Sequence, residues 1–400
     1  VPSATPTVSR FVTVGREVVK QDYELLILIN PPGELLEITE QGNPRSYLSR
    51  AANMTKESLI QPYGIAADNN FYMTNHQDLI FVPEVELKDN QRMAEENPVR
   101  VEVERAVAKV VVSGVPEVVP HGDRIDNLKW GLDVTNQYTY WMRKMTFIAN
   151  SGGVPGEMEQ LNSGYREERY AEDPNFTGFS AWNGGNPAGQ FEYLSGTPEL
   201  TKDFDDYDYT LENTMEAVEQ RHDVTTRVVI SGTYTPNGFG SVATRNSGGI
   251  SFYYFKGNAI RVEAMRDMVN DRNLIPQELR DAGLEQAIND VLAWNPNAFN
   301  SPTASFSVGG LNFYYEGVCY YTVLIRHFSN NMVPVLMGYG RYGVVRNNVY
   351  QLSINKIIGP GQPVINPPGT DPDDEDTSWI SADVNIMRWY IRNQNVEELL

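Results

Sequence analysis

Val99-Arg-Val-Glu-Val-Glu-Arg-Ala-Val-Ala-Lys-Val-Val-Val112 decides how this chain folds. Val99, Val101 and Val103 alternate with charged residues, the period-2 pattern of a half-buried strand. After Glu104-Arg105 the phase reverses, and Ala106, Ala108, Val110 and Val112 carry the apolar face. A slip of one residue turns every side chain to the other face of a sheet. A bulge does this, and so does a strand that leaves one sheet and enters another. The stretch reads as a boundary between two β domains, one over residues 1–105 and one over 106–358.

Strand signals continue on both sides of it. Upstream, Leu25-Leu-Ile-Leu-Ile29 closes on Asn30-Pro-Pro-Gly33, a core strand and its turn, and Ile80-Phe-Val-Pro83 opens another. A short helix is expected over 47–59. Downstream, Leu128-Lys-Trp-Gly-Leu-Asp-Val-Thr-Asn136 and Tyr138-Thr-Tyr-Trp-Met142 read as a strand pair. Residues 226–234, 320–326 and 348–355 read as further strands, and 150–215 as loop-rich. A helical insertion is expected over 259–269 and 276–294, where Leu279, Ala287, Ile288, Val291 and Leu292 share one face and Pro276 suits a first turn. Many short strands with turn signals between them indicate β-sandwiches.

The chain has 400 residues, a net charge of −20 and a pI near 4.6. That balance argues against nucleic acid, whose phosphates need clustered Lys and Arg. No apolar run is long enough to span a membrane as a helix. The chain opens at Val1 without Met, so an upstream segment, such as a signal peptide, is expected to have been removed. The one cysteine, Cys319, lies in an apolar run and reads as a small core residue.

Chemistry is sparse. His76, His121, His222 and His327 lie far apart, with no second His or Cys at metal-ligand spacing. Asp203, Asp205, Asp206 and Asp208 form the densest carboxylate cluster, but Tyr and Phe interrupt it and it lacks the glycine of a sharp calcium loop. No nucleophile elbow, phosphate loop or dinucleotide fingerprint is present. Asn53-Met-Thr55 and Asn175-Phe-Thr177 match the glycosylation sequon. Tyr165, Phe176, Trp182 and Tyr193 could line a sugar-binding surface or pack as loop side chains. No cofactor or metal is expected, and a binding or structural role fits better than an enzyme.

The chain ends unusually. Residues 359–378 hold five prolines, three glycines and the run Asp371-Pro-Asp-Asp-Glu-Asp376, and read as a solvated, extended linker. Beyond them, Ile380, Ala382, Val384 and Ile386 alternate with polar residues in Trp379-Ile-Ser-Ala-Asp-Val-Asn-Ile-Met-Arg-Trp-Tyr-Ile391. At ~3.1 Å per residue the linker reaches about 60 Å. The strand can therefore fold back onto its own domain or be given to another molecule.

Four segments together resemble the major fimbrial subunits, or fimbrillins, of Bacteroidetes type V pili. They are Glu104-Arg-Ala-Val-Ala-Lys-Val-Val111, Leu128-Lys-Trp-Gly-Leu with Asn136 and Tyr140, Val344-Val-Arg-Asn-Asn-Val-Tyr-Gln-Leu-Ser-Ile-Asn-Lys356, and the linker with the strand ending near Trp389. The resemblance implies two transthyretin-like (Ig-like) β-sandwiches in tandem, all-β apart from the insertion. It implies a lipidated, exported precursor from which an Arg-specific protease removes an N-terminal strand, here residues 1–10, with cleavage between Arg10 and Phe11 and Arg16 as the rival site. It also implies that the terminal strand (Trp379, Ile380, Ala382, Val384, Ile386, Trp389 and Ile391) fills the groove of another copy, making a head-to-tail filament with accessory pilins at tip and anchor. The resemblance points to a shaft subunit supporting adhesion. The alternatives are a surface glycan-binding β-sandwich lipoprotein, which has no need of a strand on a linker, and a tip or anchor pilin of the same family.

Overall fold

The structure is a computed structural model that describes residues 15–32, 35, 51–53, 66–67, 70–76, 79–144, 171–176, 187, 189–216, 219–240, 249–327, 341–373, 386–387 and 390–396. It is mostly β, with few helices.

The apolar run near the start makes two strands, not one. β1 (Tyr23–Leu25) and β2 (Leu28–Ile29) join different sheets. β2 pairs with β3 (Met73–Asn75), β1 with β4 (Ile80–Val82), and β3 also with β5 (Val103–Arg105), all antiparallel. The fully buried Asn75 bridges the crossover. Its carboxamide accepts from the Ile27 N–H at 2.9 Å and donates to the Leu25 carbonyl at 2.9 Å, supplying the partners that the ladder lacks there. Ala51–Asn53 is a strand pairing with Tyr138–Tyr140, where a helix was expected; the rest of 47–59 lies outside the described residues.

Between Arg105 and Ala108 the chain leaves the β2-β3-β5 sheet and enters another. On β5 the buried residue is Glu104 and Val103 is only half-buried, the reverse of the expected face. An ion pair described below explains the inversion.

The C-terminal half runs β6 (Ala108–Ser113), β7 (Arg124–Asp133), β8 (Tyr207–Thr210) and β9 (Arg227–Thr235). The insertion follows with β10 (Phe252–Phe255), β11 (Asn258–Arg261), α1 (Val262–Asn270), α2 (Gln277–Asp281), α3 (Leu284–Trp294), β12 (Phe306–Val308) and β13 (Leu311–Tyr314). β14 (Val318–Leu324) and β15 (Asn348–Ile354) return to the sandwich, and β16 (Ile386–Met387) and β17 (Tyr390–Val396) come last. One face of the sandwich is the five-stranded sheet β8-β6-β15-β17-β16, and the other is β7-β9-β14. Their inner faces share one core, with Val110, Val112, Tyr350, Leu352 and Ile354 meeting Trp130, Val228, Ile230, Cys319, Tyr321 and Val323. Two packed sheets with alternating inward residues make a β-sandwich.

The insertion builds a second core. Its sheet β11-β10-β13-β12 buries Tyr253, Phe255 and Phe313 together with Met265, Leu284, Ile288 and Val291 of the helices. The single helix read from Pro276 to Trp294 is two, because Gly283 sits at φ 94° between α2 and α3. That left-handed conformation suits glycine and ends a helix.

The linker departs most from its sequence reading. Residues 359–373 pack along the domain, with Pro360, Gly361, Pro363, Ile365 and Asp373 buried. Gln362 and Tyr320 exchange two backbone hydrogen bonds of 2.8 Å, closing the edge of β14. Gly361 is a glycine for a packing reason: a Cβ there would lie 2.1 Å from the Tyr320 carbonyl oxygen. The prolines and glycines that read as flexibility are instead fitted to a surface.

Candidate functional site

The site is the edge of β15 and the strand that covers it. β15 pairs in parallel with β6 on one side and with β17 on the other. Its residues alternate strictly: Tyr350, Leu352 and Ile354 are buried in the sandwich core, while Val349, Gln351 and Ser353 are half-buried.

Several buried contacts hold β15 at that place. Asn347, at φ 59°, turns the chain into the strand, and its N–H donates to the Val107 carbonyl at 2.8 Å. Asn348 donates to the carbonyls of Val345 and Arg346, both at 3.0 Å. The Tyr350 hydroxyl accepts from the Val345 N–H at 2.7 Å and lies 2.7 Å from His327 Nδ1.

Behind this turn lies a buried ionic cluster. Arg346 Nε donates to Glu212 Oε2 at 2.9 Å, and its Nη2 to the Thr139 hydroxyl at 3.0 Å and the Tyr140 carbonyl at 3.2 Å. Arg143 lies between Glu104 at 3.1 Å and Glu212 at 3.4 Å. Glu104 comes from β5, so the cluster ties the N-terminal sheet to the base of β15. Burial works against the charge on Arg346, but Glu212 and then Glu104 outweigh it, and its pKa lies above the ordinary value. His76 Nδ1 meets the other Glu104 oxygen at 3.0 Å. Glu104 is therefore buried because its partner is a distant arginine.

Over the β15 edge lies the end of the chain. Asn348 pairs with Tyr390, Val349 with Ile391, and so on to Ile354 with Val396. Ile386 pairs with Arg392 and Met387 with Ile391, making an antiparallel return at the sheet's outer edge. Of the strand residues named from sequence, the structure brings Ile386 and Ile391 into one sheet. Trp379, Ile380, Ala382, Val384 and Trp389 lie outside the described residues, as do Arg10 and Phe11; Arg16 is exposed. The paired strand is displaced towards the terminus from the alternating stretch at 380–386. The strand runs on to Val396 although Asn393, Gln394 and Asn395 carry no apolar alternation. An edge strand can pair by its backbone alone, and only Tyr390 and Ile391 hint at it.

The described residues among the other candidates have partners within the fold, while Tyr165 and Trp182 lie outside the described residues. Asn175 of the second sequon is fully buried, with its side chain donating to the Tyr138 carbonyl at 2.7 Å. Phe176 packs edge-on against Phe191, and the Tyr193 hydroxyl donates to the Asp223 carbonyl. Asp203 pairs with Lys129, and Asp206 accepts from the Asp203 N–H. Among the described residues no group of three or more His, Cys, Asp or Glu could hold a metal ion.

Comparison with known proteins bears on the two ends of the chain. Residues 1–105 match the family of the major fimbrial subunit protein (FimA), and residues 312–395 match the C-terminal family of the type IV major fimbrial subunit, fimbrillin. Both ends of the chain are therefore similar to major fimbrial subunits. The first match stops at Arg105, where the chain changes sheets, and the second runs from β13 through β15 into β17. Among solved structures, a fimbrilin (FimA) of Porphyromonas gingivalis is 14% identical, with 94% of this chain and 79% of that one covered and a TM-score of 0.37. A candidate cell adhesion protein of Parabacteroides distasonis is 13% identical, with 89% and 72% covered and a TM-score of 0.36. No curated protein matches the sequence.

Proposed function

We propose that this chain is a shaft subunit of a cell-surface fimbria and polymerises by donor-strand exchange. The matches to fimbrial subunit families at both ends support a structural subunit that assembles with copies of itself. The observation that carries the finer reading is the covered edge of β15. The last strand of the chain lies there in parallel, with only the two-residue β16 beyond it in the sheet. A strand so placed can leave without dismantling the sandwich, and its neighbours at 380–386 have the apolar alternation that a groove would accept.

In this reading the tail is parked on its own subunit until assembly. An Arg-specific protease cuts between Arg10 and Phe11 of an exported, lipidated precursor at the outer membrane. Loss of the N-terminal strand opens an acceptor groove, and the 379–391 segment of another copy fills it. An open groove is an aggregation hazard, which a removable strand masks until export is complete. Burying Ile380, Val384 and Ile386 contributes roughly 1.5–3 kcal/mol each before ordering costs. Donor and acceptor surfaces differ, so the contact is heterologous and builds a filament rather than a closed ring. Accessory pilins would occupy tip and anchor, and adhesion follows from the assembled fimbria. No catalysis enters this role.

Negative-stain microscopy after Arg-specific proteolysis tests it. Filaments are expected; persistent monomers after complete cleavage would refute polymerisation by this route.

A further inference from the structure

We infer that Thr225 and Asp373 pin the C-terminal arm to its own subunit, so that the segment handed to a neighbour begins beyond Asp373 rather than at Gly359. The inference rests on the donor-strand reading.

The arm is attached in steps along the domain. The Tyr321 hydroxyl donates to the Gly359 carbonyl at 2.9 Å, and Tyr314 to that of Gly361 at 2.5 Å. Gln362 exchanges its two backbone bonds with Tyr320, and Ile365 exchanges two more with Gly196 at 2.7 and 2.9 Å. Pro372 bridges to Arg221, and the His222 N–H donates to the Asp371 carbonyl at 3.1 Å.

At the end stands Asp373, a carboxylate residue 4% exposed inside an otherwise acidic and solvent-loving run. The Thr225 hydroxyl donates to its Oδ2 at 2.5 Å, its N–H donates to the Gln220 carbonyl at 3.1 Å, and the Tyr342 hydroxyl donates to its carbonyl at 3.3 Å. Burying a carboxylate is costly unless such partners meet it. A spacer needs no buried acid, whereas an anchor does. Thr225 and Asp373 are positioning residues.

The consequence is geometric. From Asp373 to Trp379 is six residue steps (379 − 373), at most about 20 Å when extended. Reach measured from Gly359 would be about 60 Å. The acceptor groove of the neighbour must then lie within about 20 Å of Asp373, which fixes the spacing of subunits and stiffens the joint.

Hydrogen exchange on monomer and on filament decides this, with Thr225→Val as the probe and Thr225→Ser as the conservative control. In the parent, residues 360–373 should be protected in the monomer and stay protected after assembly. Thr225→Val should lower protection of the Asp373 amide about tenfold, the effect of one net hydrogen bond, with Gln362 unchanged and Thr225→Ser close to the parent. Filaments of Thr225→Val should show a more variable axial repeat in electron micrographs. Loss of protection over 360–373 on assembly would overturn the pin, and so would parent-like exchange in the Thr225→Val monomer. Failure of the parent to form filaments would count against strand donation, while the monomer exchange would still decide the pin.

Discussion

Glu104 and Arg143 meet at 3.1 Å with both side chains fully buried, and through them the N-terminal sheet is bolted to the base of β15. Glu104 lies on β5, while Arg143 also reaches Glu212, which in turn holds Arg346. Removing one member of such a cluster leaves a buried charge without its partner. Arg143→Met should therefore destabilise the fold by about 3–5 kcal/mol. Urea denaturation checks it. A loss below 1 kcal/mol would mean that water reaches the cluster.

Gly361→Ala should be disruptive although the residue lies in a stretch that reads as linker. The added methyl would meet the Tyr320 carbonyl oxygen at 2.1 Å, a backbone atom that cannot rotate away. A cost of about 1–3 kcal/mol is expected, with loss of exchange protection at Gln362 and Tyr320. Thermal melting with peptide-level exchange would measure both.

How far the sequence reveals this molecule depends on whether the deciding contacts are local. β9 and β15 are legible because each alternates or runs apolar against a single core. The change of sheet falls after Arg105, where the apolar pattern reverses, but the reversal is not kept in the fold, since Glu104, Ala106, Ala108 and Val110 are all buried. Glu104 is not legible as a buried residue, since Arg143 lies 39 positions away (143 − 104) and nothing in the β5 pattern announces it. The packed arm is hidden because Pro, Gly and Asp have the same composition whether they face water or fit a surface. Gly361 and Asp373 are the two positions where the distinction is decided. β17 is hidden for a different reason: its pairing is made by backbone, and Asn393, Gln394 and Asn395 leave no apolar pattern.

Activation is expected to depend on Arg10. Under Arg-specific protease the parent should lose a short N-terminal peptide and self-associate, while Arg10→Ala stays monomeric by light scattering. Equal assembly of Arg10→Ala would move the cleavage to Arg16, which is exposed.

Val384→Asp should abolish filaments and spare the monomer. Alternation puts Val384 on the same strand face as Ile380 and Ile386, and a carboxylate on that face would enter the acceptor groove without a partner, at a cost of several kcal/mol. Mass photometry gives the assembly state, and melting reports the monomer. A large fall in the monomer's Tm would show that Val384 belongs to its own domain.

The central claim is that the terminal strand must leave β15 for subunits to join. Val349 and Ile391 occupy opposite positions of β15 and β17, so cysteines at both can be bridged to lock the tail in place. The native Cys319 is fully buried, and burial pushes its thiol up to about 11, so it will not compete. The measurement is filament formation by the Val349→Cys/Ile391→Cys protein after Arg-specific proteolysis, oxidised and then reduced. The oxidised form should remain monomeric, and reductant should restore filaments. Filaments growing from the oxidised form at the parent's rate would contradict the account.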